Sequence, residues 1–225
     1  MGANGAGKST LLKLLAGDIK ATTGIISYGD KKLTDFSVKS LATKRAVLSQ
    51  HYHLAFPISV EEIVMMGRYP YFATQPSQKD IAICKSAMQL MEVNEFVEHD
   101  YNTLSGGEAQ KVQMSGVLAQ IWDEEKAEER VLFLDEPVSH LDVKYQYQLL
   151  RVAKDLCQQN VTVIAILHDN NLALSFADRI MFIKKTEVAY NLQEPSTISS
   201  DIVSDVFGVA SKIIYDEHAK PLVIF

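Results

Sequence analysis

Cysteine is scarce in this chain of 225 residues: there are two, Cys84 and Cys157. They lie far apart in segments of helical pattern, which predicts core thiols rather than a disulfide or a metal-binding pair. A secretory leader is absent, as is any apolar run of about 18 residues, so the expectation is a cytosolic chain that crosses no membrane. Basic residues are outnumbered, 22 Lys and Arg against 28 Asp and Glu, for a net charge of −6. That balance argues against a nucleic-acid-binding surface. Internal repeats and low-complexity tracts are also missing. What remains, 47% hydrophobic and 22% charged, suits one globular α/β domain with room for a subdomain.

Against this plain background one stretch stands out: Gly2-Ala3-Asn4-Gly5-Ala6-Gly7-Lys8-Ser9-Thr10. A glycine, four residues, then glycine, lysine and serine or threonine is the pattern of a phosphate-cradling loop. Glycines let backbone N–H groups turn inward on an anion, because no Cβ blocks positive φ or close approach. Lys8 can set its ammonium on the β- and γ-phosphates of a nucleotide, and the Ser9 hydroxyl can ligate Mg²⁺. The Leu- and Ala-rich run from Thr10 to Ala16 reads as a helix whose N-terminus faces the phosphates. Only Met1 precedes the loop, whereas a loop of this kind is fed by a strand. A chain lacking that strand is expected to bind nucleotide weakly and to hold a destabilised sheet.

Further along, Val131-Leu132-Phe133-Leu134 runs into Asp135-Glu136-Pro137. A continuous apolar strand of this type is buried on both faces of a parallel sheet, and α/β sheets bind ligands at the carboxyl ends of such strands. There Asp135 can hold Mg²⁺, and Glu136 can take a proton from a water attacking the γ-phosphate. A second buried strand, Val161 to Leu167, delivers His168 to a matching position. Other features are less distinctive. Gln50 ends the short strand Ala46-Val47-Leu48 and reads as an ordinary surface residue. Ser105-Gly106-Gly107 opens a helix, as a plain N-cap or as an anion site. His51 and His53 lack nearby ligating partners, so no metal is expected there. Tyr69, Tyr71 and Phe72 form an aromatic cluster that suits either a contact surface or a small local core. A capping box begins a helix at Ser59, Ser77-Gln78-Lys79-Asp80 looks like another helix start, a short helix continues over Glu95–His99, a helix in the tail stops at Gly208, and a hairpin is expected around Lys185-Thr186. Residues 51–120 are therefore mostly helical, inserted between strand-bearing segments 1–50 and 121–225.

Taken together, these residues resemble the ATP-binding subunit of ABC transporters. Gly2–Ser9 is similar to the Walker A loop, Gln50 to the Q-loop glutamine, and Leu104–Glu108 to the signature motif. Val131–Glu136 is similar to Walker B, Ser139–Asp142 to the D-loop, and His168 to the switch histidine. The resemblance implies a P-loop ATPase core, 1–50 with 121–225, carrying a helical subdomain, 51–120. It implies ATP and Mg²⁺ as cofactors, with Ser9, Gln50 and Asp135 toward the metal and Gly2 to Thr10 toward the nucleotide. It also implies head-to-tail homodimers, in which Ser105, Gly106 and Gly107 meet the nucleotide of the opposite copy, and it places Asp142 among the nucleotide-binding residues. Glu136, His168 and Gln50 carry the hydrolytic roles. Residues 51–72 would face a membrane permease at the cytoplasmic face of the inner membrane, with a periplasmic substrate-binding protein as an indirect partner.

Within the family, Arg45–His51, Leu54–Pro57, Leu118–Trp122 and Leu167–Ala173 look like the bacterial haem importers, with ferric siderophore and cobalamin importers close in wording. A soluble ABC ATPase without a permease is the contrasting class. Three positions depart from the family pattern: Ala3 stands where Pro is usual, Lys111 where Arg is usual, and Thr186 where a hairpin Gly is usual. Upstream of the family's loop lies an aromatic residue that stacks on adenine, and none here takes that role.

Overall fold

The computed structural model describes residues 1–49, 55–122 and 128–225. In chain order, the loop residue Lys8 begins helix α1 (Lys8–Ala16), and Gly17 stops it at φ +80, in the left-handed region that glycine adopts without strain. Strands β1 (Ser27–Tyr28) and β2 (Lys31–Lys32) form a small antiparallel pair. Helix α2 (Val38–Lys44) follows, N-capped by Ser37, and leads into β3 (Arg45–Leu48). Helix α2 has no strong sequence signal, because it buries no residue and Val38 is almost fully exposed.

Serine capping boxes start the next three helices. Ser59 pairs with Glu62 at α3 (Val60–Met66), Ser77 with Asp80 at α4 (Gln78–Leu90), and Ser105 with Glu108 at α5 (Gly106–Ile121). In each box the serine oxygen and the acid satisfy N–H groups that a helix start would otherwise leave bare. A short helix expected over Glu95–His99 is instead a single 3₁₀ turn, Asn94–Phe96.

The second half alternates. It runs β4 (Arg130–Asp135), α6 (Val143–Cys157), β5 (Val161–Ile166), α7 (Asn170–Phe176), β6 (Ile180–Lys184), β7 (Glu187–Leu192), α8 (Ser200–Phe207), β8 (Lys212–Tyr215) and β9 (Pro221–Ile224). Gly208, at φ +72, ends α8 as the sequence predicted.

The described chain divides into two compact units, Ala16–Ala165 and Met1–Leu15 with Ile166–Phe225. In the first, β3, β4 and β5 form one sheet with β4 in the middle. The β3–β4 pair is parallel, with Arg45 opposite Val131 and Leu48 opposite Leu134. Leu132, Phe133 and Leu134 are fully buried, as a central strand requires. Helix α5 is buried on every side from Ala109 to Ala119. It meets α3 so closely that a Cβ on Gly67 would lie 2.1 Å from the Gly116 carbonyl oxygen. Beside this contact an ion pair is buried: Arg68 donates to Asp80 at 2.9 Å, and also to the carbonyls of Ala119 and Trp122.

In the other unit β6 and β7 form the expected hairpin, and β8 and β9 a second one. Asn171 ties that second hairpin to α7. Its side-chain amide donates to the Val223 carbonyl at 3.2 Å and accepts the Val223 N–H at 2.8 Å. Both cysteines are free. Cys84 is buried as expected, but Cys157 is exposed: it is the last residue of α6, one turn past the buried Ala153.

Candidate nucleotide site

The phosphate loop is shaped by glycines where only glycine fits. Gly2 has φ +143, and a Cβ there would sit 2.1 Å from the Ile183 carbonyl oxygen. Gly5 and Gly7 take φ +76 and +93, turning the backbone ahead of α1. Lys8 curls back so that its Nζ donates to the carbonyls of Gly2 (2.9 Å) and Ala3 (3.0 Å). The ammonium is thereby held across the loop by weak acceptors that an anionic phosphate outcompetes.

The turn of the β6–β7 hairpin props this loop. The Thr186 N–H donates to the Ala6 carbonyl at 3.2 Å, and the Thr186 methyl packs beside Gly7. Lys185 and Thr186 have φ +50 and +67. Two consecutive positive φ values suit a tight hairpin, but a β-branched residue pays steric strain to adopt one. In the same unit His168 is exposed just beyond β5. It is followed by Asp169, whose carboxylate caps α7 by accepting the N–H groups of Asn171 (2.7 Å) and Leu172 (3.0 Å).

The other unit gathers three further motifs. At the start of α5 the Glu108 carboxylate accepts both the N–H and the hydroxyl of Ser105, each at 2.7 Å. Those two hydrogen bonds hold the Glu108 carboxyl below the usual carboxylate range. The signature glycines lie against the Ser139–Asp142 turn: a Cβ on Gly107 would come 3.2 Å from the His140 carbonyl oxygen, and one on Gly106 would touch the His140 side chain. Asp142 itself N-caps α6, accepting the Tyr145 N–H at 3.1 Å. Asp135 ends β4 buried, and Glu136 follows at φ +53. Its carbonyl accepts the N–H and hydroxyl of Ser139 at 3.3 and 3.2 Å. The α5 side chain of Gln110, which the sequence did not single out, reaches the same carbonyl. Nothing in the sequence separates it from Gln113 and Gln120 of the same helix.

The signature serine and glycines, the D-loop turn and the paired acids are thus brought together in one unit, and the phosphate loop and His168 belong to the other. Gln50, and with it His51 and His53, lies outside the described residues. Ser9 and Asp135 are hard-oxygen donors, the type Mg²⁺ prefers. Among the described residues no cluster of His, Cys, Asp or Glu could hold a metal ion by itself. Nor is any helix among them long and apolar enough to cross a membrane.

Known proteins with this pattern agree among themselves. The family model described as ABC transporter matches residues 1–139. A relative from Pseudoalteromonas translucida, named Hemin import ATP-binding protein HmuV, is 45% identical over 95% of this chain and 82% of its own. A protein of the same name from Rhodopseudomonas palustris is 39% identical over 100% of this chain and 84% of its own. Among solved structures, a dimeric bacterial ABC transporter cassette superposes with a TM-score of 0.74, at 25% identity, over 86% of this chain and 84% of that one. Over more than half its length by the family model, and nearly end to end by its relatives, this chain belongs to the ABC transporter family, as an ATP-hydrolysing cassette.

Proposed function

We propose that this ATPase powers import of hemin through a separate membrane permease. The observation that carries the cargo assignment is the name shared by relatives 45% and 39% identical over almost the whole chain. The cassette itself need not touch the cargo, so kinship rather than site geometry supports hemin over a ferric siderophore or cobalamin.

Two copies act head to tail, as membership of the family implies; the dimeric cassette of similar fold supports the pairing of copies. In each copy Gly2 to Thr10 wrap the phosphates, and Lys8 moves from its carbonyl partners onto the β- and γ-phosphates. Ser105, Gly106 and Gly107 of the opposite copy close over the γ-phosphate with the N-terminus of α5, and Asp142 lies alongside. Glu136 orients the attacking water and takes its proton, while His168 contacts the γ-phosphate. Ser9, Asp135 and Gln50 would hold Mg²⁺, which supplies charge neutralisation on the phosphates.

Segments 1–50 and 121–225 form the ATPase core, and 51–120 the helical subdomain that meets the permease. Phe56 and Tyr69 are exposed there, as a docking surface needs, whereas Tyr71 is tied inward by its hydroxyl to the Gln120 carbonyl. The subunit is then peripheral, on the cytoplasmic face of the inner membrane, and works with a periplasmic binding protein only through the permease.

The test is transport by the cassette reconstituted with its co-purifying permease in proteoliposomes. The expected result is ATP-dependent hemin uptake that Glu136→Gln abolishes. Uptake of a ferric siderophore or cobalamin instead would overturn the cargo, and turnover with no co-purifying permease would point to a soluble ABC ATPase.

A further inference from the structure

The backbone of Glu136 sits in the left-handed region, φ +53, although it carries a side chain. Such a conformation persists only where surrounding structure over-determines it, and it clusters at functional sites. Two neighbours meet that requirement here. Ser139 donates its N–H and hydroxyl to the Glu136 carbonyl at 3.3 and 3.2 Å. Gln110 adds its amide nitrogen, 3.4 Å from the same carbonyl, and also donates to the carbonyl of Pro137. Its two N–H bonds therefore fork across consecutive peptide groups.

Gln110 is 4% exposed, and its own carbonyl oxygen is buried without a hydrogen-bond partner among the described residues. An orphaned buried acceptor is a standing cost. An apolar residue of similar length would avoid that cost and pack equally well. What only the amide supplies is the pair of N–H donors aimed at the turn.

We propose that Gln110 is a positioning residue for Glu136: it fixes the main chain from which the general base projects, and so couples the signature helix to hydrolysis. The inference rests on the reading of Glu136 as the base. The route is short. Gln110 lies on the second turn of α5, the helix whose first turn carries Ser105, Gly106 and Gly107. A displacement of α5 when those residues engage the opposite copy's nucleotide is passed through the forked amide to Glu136. A shift of about 1 Å in a catalytic group can cost on the order of 100-fold in rate.

The experiment compares wild type with Gln110→Met, which keeps length and loses both donors, and Gln110→Glu, which keeps shape and sets a carboxylate oxygen against two carbonyls. Steady-state ATPase kinetics, ATP affinity in a Glu136→Gln background and thermal unfolding are measured on each. The expected outcome for Gln110→Met is a fall in kcat of roughly 10- to 100-fold, with KM, ATP affinity and Tm close to wild type; Gln110→Glu should lose kcat at least as far, with a lower Tm because its carboxylate is buried against two carbonyls. Adding Ser139→Ala to Gln110→Met should change kcat by more or less than the product of the single effects, since both residues hold one carbonyl. Unchanged kcat in the variant that stays folded overturns the proposal. So does a loss of kcat in Gln110→Met that merely follows rising KM and falling Tm, which is what a packing role would give. Turnover that survives Glu136→Gln removes the base itself, and is told apart because it appears without any change at Gln110.

Discussion

At the scale of single residues, this cassette stores strain beside its glycine-rich loop. Thr186 takes φ +67 in the turn that supports the Walker loop, where glycine would rest without penalty. Replacing it removes the strain but also the methyl beside Gly7 and the preorganisation of the turn. Thr186→Gly should therefore raise stability by about 1 kcal/mol, seen as a Tm higher by a few degrees, while ATP affinity falls modestly. A lower Tm would mean that the methyl contact outweighs the backbone strain. Glu136 shows the same backbone conformation with the opposite logic, because two side chains from different elements hold it there. The alternation of apolar and polar residues has no mark for either φ value. A sequence names the residue at a strand end, but the hydrogen bonds around it choose its conformation.

Among elements, the helical segment depends on capping and on one buried charge pair. Asp80 serves twice: it closes the Ser77 capping box and it neutralises Arg68. Burial alone would push its carboxyl up, but the Ser77 hydroxyl and N–H together with Arg68 outweigh that and hold it below the usual carboxylate range. A depressed folded-state pKa contributes stability above the ordinary Asp value of about 3.9, and that contribution is lost as pH falls through the lower folded value. Asp80→Asn should cost about 3 kcal/mol at neutral pH, since it leaves Arg68 buried without a counter-charge. It should also flatten the acid side of the stability profile. Urea unfolding at neutral pH and near pH ~3.5 checks both, and an equal loss at the two values would sink the linkage. The helix starts at Ser59, Ser77 and Ser105 were legible in sequence because capping is local, spanning four residues each. Helix α2 was not legible, since Ser37 is its one signal and it buries no residue. The exposure of Cys157 was missed for a related reason: periodicity in the last turn of a helix does not say where the neighbouring layer ends.

For the whole molecule, nucleotide should act as a ligand that binds only the folded chain. In the non-hydrolysing Glu136→Gln background, ATP at 100 times its Kd should add about 2.7 kcal/mol of stability, and Lys8→Ala should abolish that gain without lowering the stability of the nucleotide-free protein. Lys8 permits this separation because its present partners are carbonyls of its own loop. Denaturant titrations with and without ATP decide it, and a Lys8→Ala protein that still gains stability would place the phosphates elsewhere.

The sequence by itself determined a set of contiguous patterns: the Gly2–Thr10 loop, the paired acids Asp135 and Glu136, and a histidine after an apolar strand, residue types that phosphoryl transfer uses. It also determined the family, since those patterns occur in a fixed order. The tertiary structure decided what depends on partners distant in the chain. It gave Gln110 its hold on Glu136, 26 residues away, and set the signature glycines against the turn of His140. It also brought the Thr186 turn up to the phosphate loop from the far end of the chain. The reason is the range of the interactions. Caps, turns and apolar runs act over a few residues and leave their signature in order and spacing. A side-chain amide that forks onto another element's carbonyls is chosen by packing, and it exists only once the helix and the strand are in place.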